Sequence, residues 1–119
     1  MKFTNIIIIF SLLFYSCKSQ NCSVLPSEFT NYGEAKELIQ KAKFILTENL
    51  NTEKSSWIKS GKYFSCDLKV GFFLFKTENE TYIHQNVPIE IWNELKQAPS
   101  IGSYYNRNIK HKYQLNIKK

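Results

Sequence analysis

The sequence predicts an α+β domain with an N-terminal helix, a three-stranded antiparallel meander and one or two short C-terminal helices. Two observations support this fold class. Apolar residues recur at helical spacing on both sides of a central stretch that is rich in aromatic and β-branched residues. The links between the central runs are short, which favours antiparallel neighbours. With 119 residues, the chain is long enough for one domain and too short for two.

The first helix is predicted from a capping signal. Asn31 stands three residues before Glu34, as in a capping box. An apolar stripe follows at helical spacing and consists of Ala35, Leu38, Ile39 and Ala42. We expect the helix to end near Lys43 and an extended segment to follow, although the stripe could also continue as helix through Ile45 and Leu46.

Three runs in the middle of the chain predict strands. Residues 57–65 are rich in aromatic residues, and residues 70–75 are apolar on both faces, which marks a strand that is covered on both sides. Residues 81–87 alternate, with Tyr82 and His84 on the same face.

The C-terminal part predicts one or two helices. Pro88 suits the first position of a helix, where its missing N–H costs nothing. The buried stripe of this helix would consist of Ile91, Trp92, Leu95 and Ala98. Pro99 and Gly102 end it, residues 103–109 form a last short helix, and the remainder is a basic extended tail.

The first twenty residues are typical of an export signal. Lys2 precedes an apolar run at residues 6–15, which is too short to span a bilayer as a stable helix. Ser16 and Cys17 follow at once and resemble a bacterial lipoprotein cleavage site, where Cys17 would carry the lipid. We expect a cell-envelope lipoprotein, held to the membrane by that lipid. The alternatives are ordinary cleavage near Gln20, which gives a periplasmic or secreted protein, and an uncleaved anchor.

The chain contains three cysteines, an odd number for an exported protein. If Cys17 carries lipid, Cys22 and Cys66 remain for one disulfide. In the chain-entropy model a loop of this length is worth about 3–4 kcal/mol of stability. The alternative is two free, buried thiols.

The formal net charge is +6, and five basic residues with no acid lie between Arg107 and Lys119. Such a segment could contact a polyanion, an anionic membrane surface or an acidic protein, or it could be a solvated end. The sequence contains no phosphate-binding loop, nucleophile elbow or metal-ligand spacing. Cys66 and His84 could form a thiol–imidazole pair, but a disulfide is the better use of Cys66. We therefore expect a non-catalytic protein without metal or cofactor.

The densest aromatic and polar cluster lies at residues 102–113. Its rings could stack on bases, and its cations could contact phosphates. The candidate ligand-binding residues are Tyr104, Tyr105, Asn106, Arg107, Lys110 and Lys112. In the alternative interpretation, the two tyrosines fill the edge of the core and the asparagines cap backbone groups.

Three stretches carry a resemblance to a known family. They are residues 55–58 (SSWI), residues 82–88 (YIHQNVP) and residues 98–110 (APSIGSYYNRNIK). The last is similar to the Ser-x-Gly-x-aromatic-aromatic-Asn-x-x-Ile-basic signature of the KTSC domain. This small module occurs alone in bacteria and at the C-terminus of some lysyl-tRNA synthetases. The family's central Tyr-x-Tyr motif reads Tyr-Ile-His here, so its second tyrosine is replaced by His84.

Together with the export signal, the resemblance divides the chain into a signal peptide (1–20), a linker with the N-terminal helix (21–54) and a KTSC-like domain (55–119). It also implies RNA binding, which has been suggested for the family. An exported domain does not meet tRNA, so extracellular DNA, peptidoglycan, anionic lipid or another protein would be its partner. The sequence thus leads to two hypotheses: a nucleic-acid-binding module, and an envelope lipoprotein that acts as a protein-interaction or structural module.

Overall fold

The fold is a four-stranded antiparallel sheet with helices on both faces. A computed structural model describes residues 20–119, so all but the last residue of the predicted signal peptide, and the predicted lipidation at Cys17, lie outside the described residues. A 3-10 turn at Cys22–Val24 comes first. The elements that follow are α1 (Tyr32–Lys41), β1 (Leu46–Asn49), β2 (Ser60–Ser65), β3 (Val70–Lys76), β4 (Thr81–Pro88), α2 (Ile89–Gln97) and α3 (Ile101–Asn108). The strands lie side by side in chain order.

The sheet has one strand more than the sequence predicts. The extended segment expected after the first helix is β1, which pairs antiparallel with β2 from Leu46 opposite Ser65 to Asn49 opposite Lys62. Its apolar alternation is broken by Glu48, whose carboxylate accepts hydrogen bonds from Trp92 Nε1 at 2.6 Å and from Lys96 Nζ at 2.9 Å. Because a carboxylate stands at a half-buried position, the hydrophobic pattern of the sequence did not identify this segment as a strand of the sheet.

Helix α1 begins as the sequence predicts. The Asn31 side chain accepts a hydrogen bond from the Glu34 N–H at 2.8 Å, and the Glu34 carboxylate accepts one from the Thr30 N–H at 2.7 Å. These two bonds satisfy N–H groups that have no partner within the helix. Ala35 and Ile39 are fully buried, so the apolar stripe of α1 faces the sheet.

Strand β3 is covered on both sides, which confirms the prediction from its continuous apolar run. Phe73 and Phe75 belong to the cluster that the sheet shares with α2 and α3, together with Trp92 and Tyr105. Leu74 points to the opposite cluster with α1. Strand β3 thus contributes side chains to the cores on both sides of the sheet.

A bulge in β4 decides which side chains face α2 and α3. The register of β3 and β4 shifts between the pairs Gly71–Val87 and Phe73–His84, so β4 carries one extra residue. Asn86 takes up the bulge with a φ of 60°, a left-handed conformation that asparagine tolerates better than most residues. His84 and Val87 consequently point to the same side of the sheet although they are three residues apart.

The C-terminal segment, predicted as a basic extended tail, is packed onto the domain. Leu115 is buried in the cluster that contains α1. The Phe29 N–H donates to the Asn116 carbonyl at 2.9 Å, and the Lys118 N–H donates to the Phe29 carbonyl at 2.8 Å. Leu115 and Ile117 alternate along the segment and make its apolar contacts. The prediction missed these contacts because it was based on the lysines of the segment.

Cys22 and Cys66 are joined by a disulfide, with their Cα atoms 5.9 Å apart. This is the pairing predicted from the sequence. It connects the first turn of the described chain to the loop between β2 and β3. The bond therefore fixes the N-terminal segment to one end of the sheet.

Removing the disulfide should cost much of the domain's stability. We expect Cys22→Ser combined with Cys66→Ser to lower the free energy of unfolding by about 3–4 kcal/mol, because the cross-link restricts the unfolded chain. Urea denaturation measures this, with Cys17→Ser as the matched cysteine control. Two alkylatable thiols at positions 22 and 66 in the parent chain without reductant would contradict the bond.

Candidate functional site

Two of the stretches singled out in the sequence meet in space. Residues 55–57 and residues 98–102 line one open cleft of about 350 Å³, which we call the motif cleft. It is lined by Asn51, Glu53, Lys54, Ser55, Ser56, Trp57, Lys96, Ala98, Pro99, Ser100, Ile101 and Gly102. About forty residues of chain separate the two walls, so the fold and not the local sequence brings them together.

The motif cleft depends on a close approach between Trp57 and helix α3. A Cβ atom on Gly102 would lie 2.5 Å from Trp57 Nε1, so only glycine leaves room for the indole at this position. The ring meets Phe75 and Tyr105 edge-on, with centroid distances of 6.2 and 6.0 Å. One side of the indole is thus held by the core, while 36% of the residue stays exposed.

The loop that carries Trp57 is held by a serine. Ser55 Oγ accepts hydrogen bonds from the Trp57 N–H at 3.3 Å and the Ile58 N–H at 2.9 Å. Ile58 is buried in the core that α2 and α3 share with the sheet. The opposite wall begins at Ser100, whose side chain caps α3 by accepting from the Ser103 N–H at 3.2 Å.

A second cleft of about 550 Å³ continues from the first around the turn between α2 and α3. The two share Ala98, Pro99 and Ser100, and the second adds Glu94, Gln97, Ser103, Tyr104 and Arg107. An extended ligand could therefore run from Trp57 past Ser100 to Arg107 without leaving the surface.

The structure separates the candidate residues predicted from the sequence. The exposed ones are Asn106, Arg107, Lys110 and Lys112. Tyr104 is half-buried, and Tyr105 is only 4% exposed. Of these six residues, Tyr104 and Arg107 line the second cleft, and none lines the motif cleft.

Tyr105 is a core residue, which corrects its prediction as a stacking ring. Its hydroxyl lies 2.8 Å from His84 Nε2, and its ring meets Phe75 edge-on with a centroid distance of 4.4 Å. Burial raises the pKa of Tyr105, so the hydroxyl keeps its proton. The ring is enclosed by the sheet and Trp57, and it offers no face to a base.

Tyr104 forms part of the wall of the second cleft. Its hydroxyl donates to the Glu94 carboxylate at 2.5 Å. Burial, reinforced by the Glu94 carboxylate, raises the pKa of Tyr104 to about 12. Its backbone carbonyl accepts from Asn108 Nδ2 at 3.1 Å, so this asparagine caps a backbone group, as the alternative interpretation expects.

His84 is used within the core. Nδ1 lies 3.0 Å from the Tyr113 carbonyl, which can only accept, so Nδ1 carries the proton. Nε2 is then the acceptor for the Tyr105 hydroxyl. Burial lowers the pKa of His84, which favours the neutral ring. Because Cys66 is in the disulfide, the thiol–imidazole pair considered from the sequence does not form.

The prediction that Trp57 lies in a strand is wrong. The structure places Trp57 before β2, in the loop that follows β1. A signal for Tyr105 was present, because Ile101, Tyr105 and Ile109 recur at intervals of four and mark the inner stripe of α3.

Residues 20–119 contain neither a cluster of metal ligands nor a membrane-spanning helix. No group of three or more metal-ligating side chains there is placed to hold an ion. Within the same residues, no helix has the length and apolar character needed to cross a membrane.

The buried His84 should make stability depend on pH. Its pKa in the folded state lies below the value of about 6.5 that histidine has in an unfolded chain, so the unfolded state takes up a proton first. The stability that the neutral His84 provides is fully present above about pH 6.5 and is lost as the pH falls from there through the lower pKa of the folded state. We expect the free energy of unfolding of His111→Gln to fall between about pH 7.5 and pH 5.5. In His84→Gln combined with His111→Gln this slope should be smaller, and equal slopes would refute the assignment.

Comparison with known proteins identifies the family of this chain. A search of the curated proteins and of the solved structures found nothing similar to this chain. The family model of the KTSC domain matches residues 54–113, which is half of the chain and includes both walls of the motif cleft. The chain therefore belongs to the KTSC domain family.

Proposed function

We propose that this chain is an exported, non-catalytic binding module that holds an extended polyanion in the motif cleft and the adjoining second cleft. Single-stranded nucleic acid is the first candidate ligand. The observation that carries the proposal is the partly exposed indole of Trp57, fixed on α3 by Gly102 beside an open cleft. A fixed aromatic ring next to a groove suits base stacking, because every base has a π-face.

Cations in the two clefts, and exposed lysines after α3, support a ligand with negative charge, while Glu53 and Glu94 are the acids that line the same clefts. Lys54 lines the motif cleft, and Arg107 lines the second cleft. Lys96 also lines the motif cleft but is paired with Glu48 at 2.9 Å. Lys110 and Lys112 follow α3 and are exposed. These groups could contact phosphates at several points of an extended strand.

The groups most often used in catalysis are engaged elsewhere, which supports a binding role. Cys22 and Cys66 share a disulfide. Both ring nitrogens of His84 have hydrogen-bond partners inside the domain. Two of the three serines that line the motif cleft, Ser55 and Ser100, accept backbone N–H groups with their hydroxyls.

Binding of a labelled single-stranded oligonucleotide, measured by fluorescence anisotropy at several salt concentrations, tests the proposal. Affinity should fall steeply with salt. Trp57→Ala should weaken binding by about 1–3 kcal/mol, the usual worth of one stacked base. Arg107→Gln should weaken binding and reduce the salt slope by about 0.7, as expected for one phosphate contact.

Lys36→Gln, on α1 at the other face of the sheet, is the matched control because it removes the same charge and should leave binding nearly unchanged. If Lys36→Gln and Arg107→Gln weaken binding equally, the contact is a general charge effect and the proposed surface is incorrect. Affinity no greater than that of an unrelated basic protein of similar charge would end the nucleic-acid proposal.

A second candidate is a protein-interaction or structural module of the envelope. The burial of Tyr105 and the hydrogen bond from Tyr104 to Glu94 favour it, because both tyrosines then hold α3 in place and do not form an open binding surface. The melting temperature distinguishes the candidates. Under the second candidate Trp57→Ala acts through stability alone, whereas nucleic-acid binding requires a loss of affinity at unchanged fold.

Export is the remaining part of the proposal, and the disulfide supports it. Structural disulfides persist in oxidising compartments and are rare in the cytosol. The charged start, the apolar run at residues 6–15 and the position of Cys17 favour a lipoprotein. Attachment by lipid would place the clefts at the cell envelope.

Labelled palmitate should be incorporated into the parent chain and not into Cys17→Ser, because the thioether at Cys17 is the attachment point. Gel autoradiography of cells that express each chain measures this. Cys22→Ser combined with Cys66→Ser is the control and should still be labelled. Label that persists in Cys17→Ser would refute the lipid assignment.

A further inference from the structure

One end of the domain exposes several apolar side chains. Among residues 20–119, the large apolar residues with high exposure are Val24, Tyr32, Ile45, Trp57, Leu68, Val70 and Tyr82. Four of these, Val24, Ile45, Leu68 and Val70, lie around the disulfide and are between 37% and 69% exposed. We call this surface the disulfide end.

Strand register shows that the disulfide end is one physical end of the sheet. Leu46, at the start of β1, is opposite Ser65, at the end of β2. Val70, at the start of β3, is opposite Pro88, at the end of β4. Ile45 lines a shallow cleft on one side of the disulfide, and Val70 lines another. Leu68 and Val24 are each two residues from a bonded cysteine.

The chain enters the domain at this same end. The Gln20 carbonyl accepts a hydrogen bond from the Lys43 N–H at 2.8 Å, and the Cys22 N–H donates to the Lys43 carbonyl at 3.0 Å. Three peptide links join Cys17 to Gln20. Fully extended, they span at most about 11 Å. Whatever holds Cys17 at a membrane therefore also holds the disulfide end beside it.

The charges at this end nearly balance. Lys43 and Lys69 are exposed there, together with Asp67 and Glu90. The Asp67 carboxylate accepts from the N–H groups of Lys69 and Val70, at 2.8 and 3.1 Å, so it serves the turn. Contact with a bilayer would come mainly from the apolar side chains, with the two lysines at the level of the headgroups.

We infer that the disulfide end rests on the surface of the lipid bilayer, with Val24, Ile45 and Leu68 in contact with its interface. The inference rests on the proposed export and attachment of the chain and adds the orientation of the domain. The motif cleft lies beyond the opposite end of the sheet, where Ser60 at the start of β2 is opposite Lys76 at the end of β3. The bilayer contact therefore turns the cleft away from the membrane.

Fluorescence quenching by brominated lipids tests the inference. The full chain is reconstituted into vesicles of phosphatidylcholine and phosphatidylglycerol, with and without bromine on the acyl chains. Ile45→Trp places a reporter at the disulfide end, and Tyr82→Trp places a matched reporter on β4 near the opposite end. The emission of the parent chain, from Trp57 and Trp92, is subtracted. Val24→Trp replaces Ile45→Trp if the latter does not keep the circular dichroism of the parent.

The reporter at position 45 should be quenched by the brominated vesicles and shifted to shorter wavelength, while the reporter at position 82 should show neither change. Equal quenching at the two positions would overturn the inference. A blue shift at position 45 without quenching would also overturn it, because the leader or a second copy would then cover this end.

The same vesicles separate this inference from the proposed function. Quenching at position 45 together with absent oligonucleotide binding upholds the orientation and rejects the proposed ligand. A chain that stays with the vesicles without quenching at position 45 rejects the orientation alone. A chain that does not sediment with the vesicles rejects both the orientation and the membrane attachment on which it rests.

Discussion

The packing of α2 and α3 on the sheet depends on the contacts of Tyr105. Its hydroxyl is bound to His84 on β4, and its edges meet Phe75 on β3 and Trp57 in the loop before β2. These contacts fix the rotation of α3 against the sheet. That rotation brings Gly102 under the indole of Trp57, and the resulting approach shapes the motif cleft. The buried pair of His84 and Tyr105 is thus the support of the candidate site rather than a part of it.

The sequence predicted those elements whose signals are local. The cap of α1 at Asn31 and the two buried faces of β3 are both present. Strand β1 was predicted only as an extended segment and not as part of the sheet, because a half-buried carboxylate, Glu48, takes the place of an apolar residue. The packing of the C-terminal segment was missed because it depends on Phe29, a partner far away in the chain.

The candidate site was predicted only in part, since its parts come from distant stretches. The basic residues after α3 are exposed as expected, and Arg107 lines a cleft. The assignment of Tyr105 to the surface failed because composition alone does not distinguish the two faces of a short helix. The contribution of Trp57 could not be predicted from its neighbours, because the glycine that admits its ring is on α3.

The bridge between Phe29 and Ile117 bears on the order in which the domain can fold. Almost the whole described chain separates these residues, so the cluster around α1 stays incomplete until the segment that contains Leu115 has been synthesised. Contacts of such long sequence separation form slowly, because the loop entropy must be paid before they add stability. The second core can therefore close only after the last stretch of the chain has joined it.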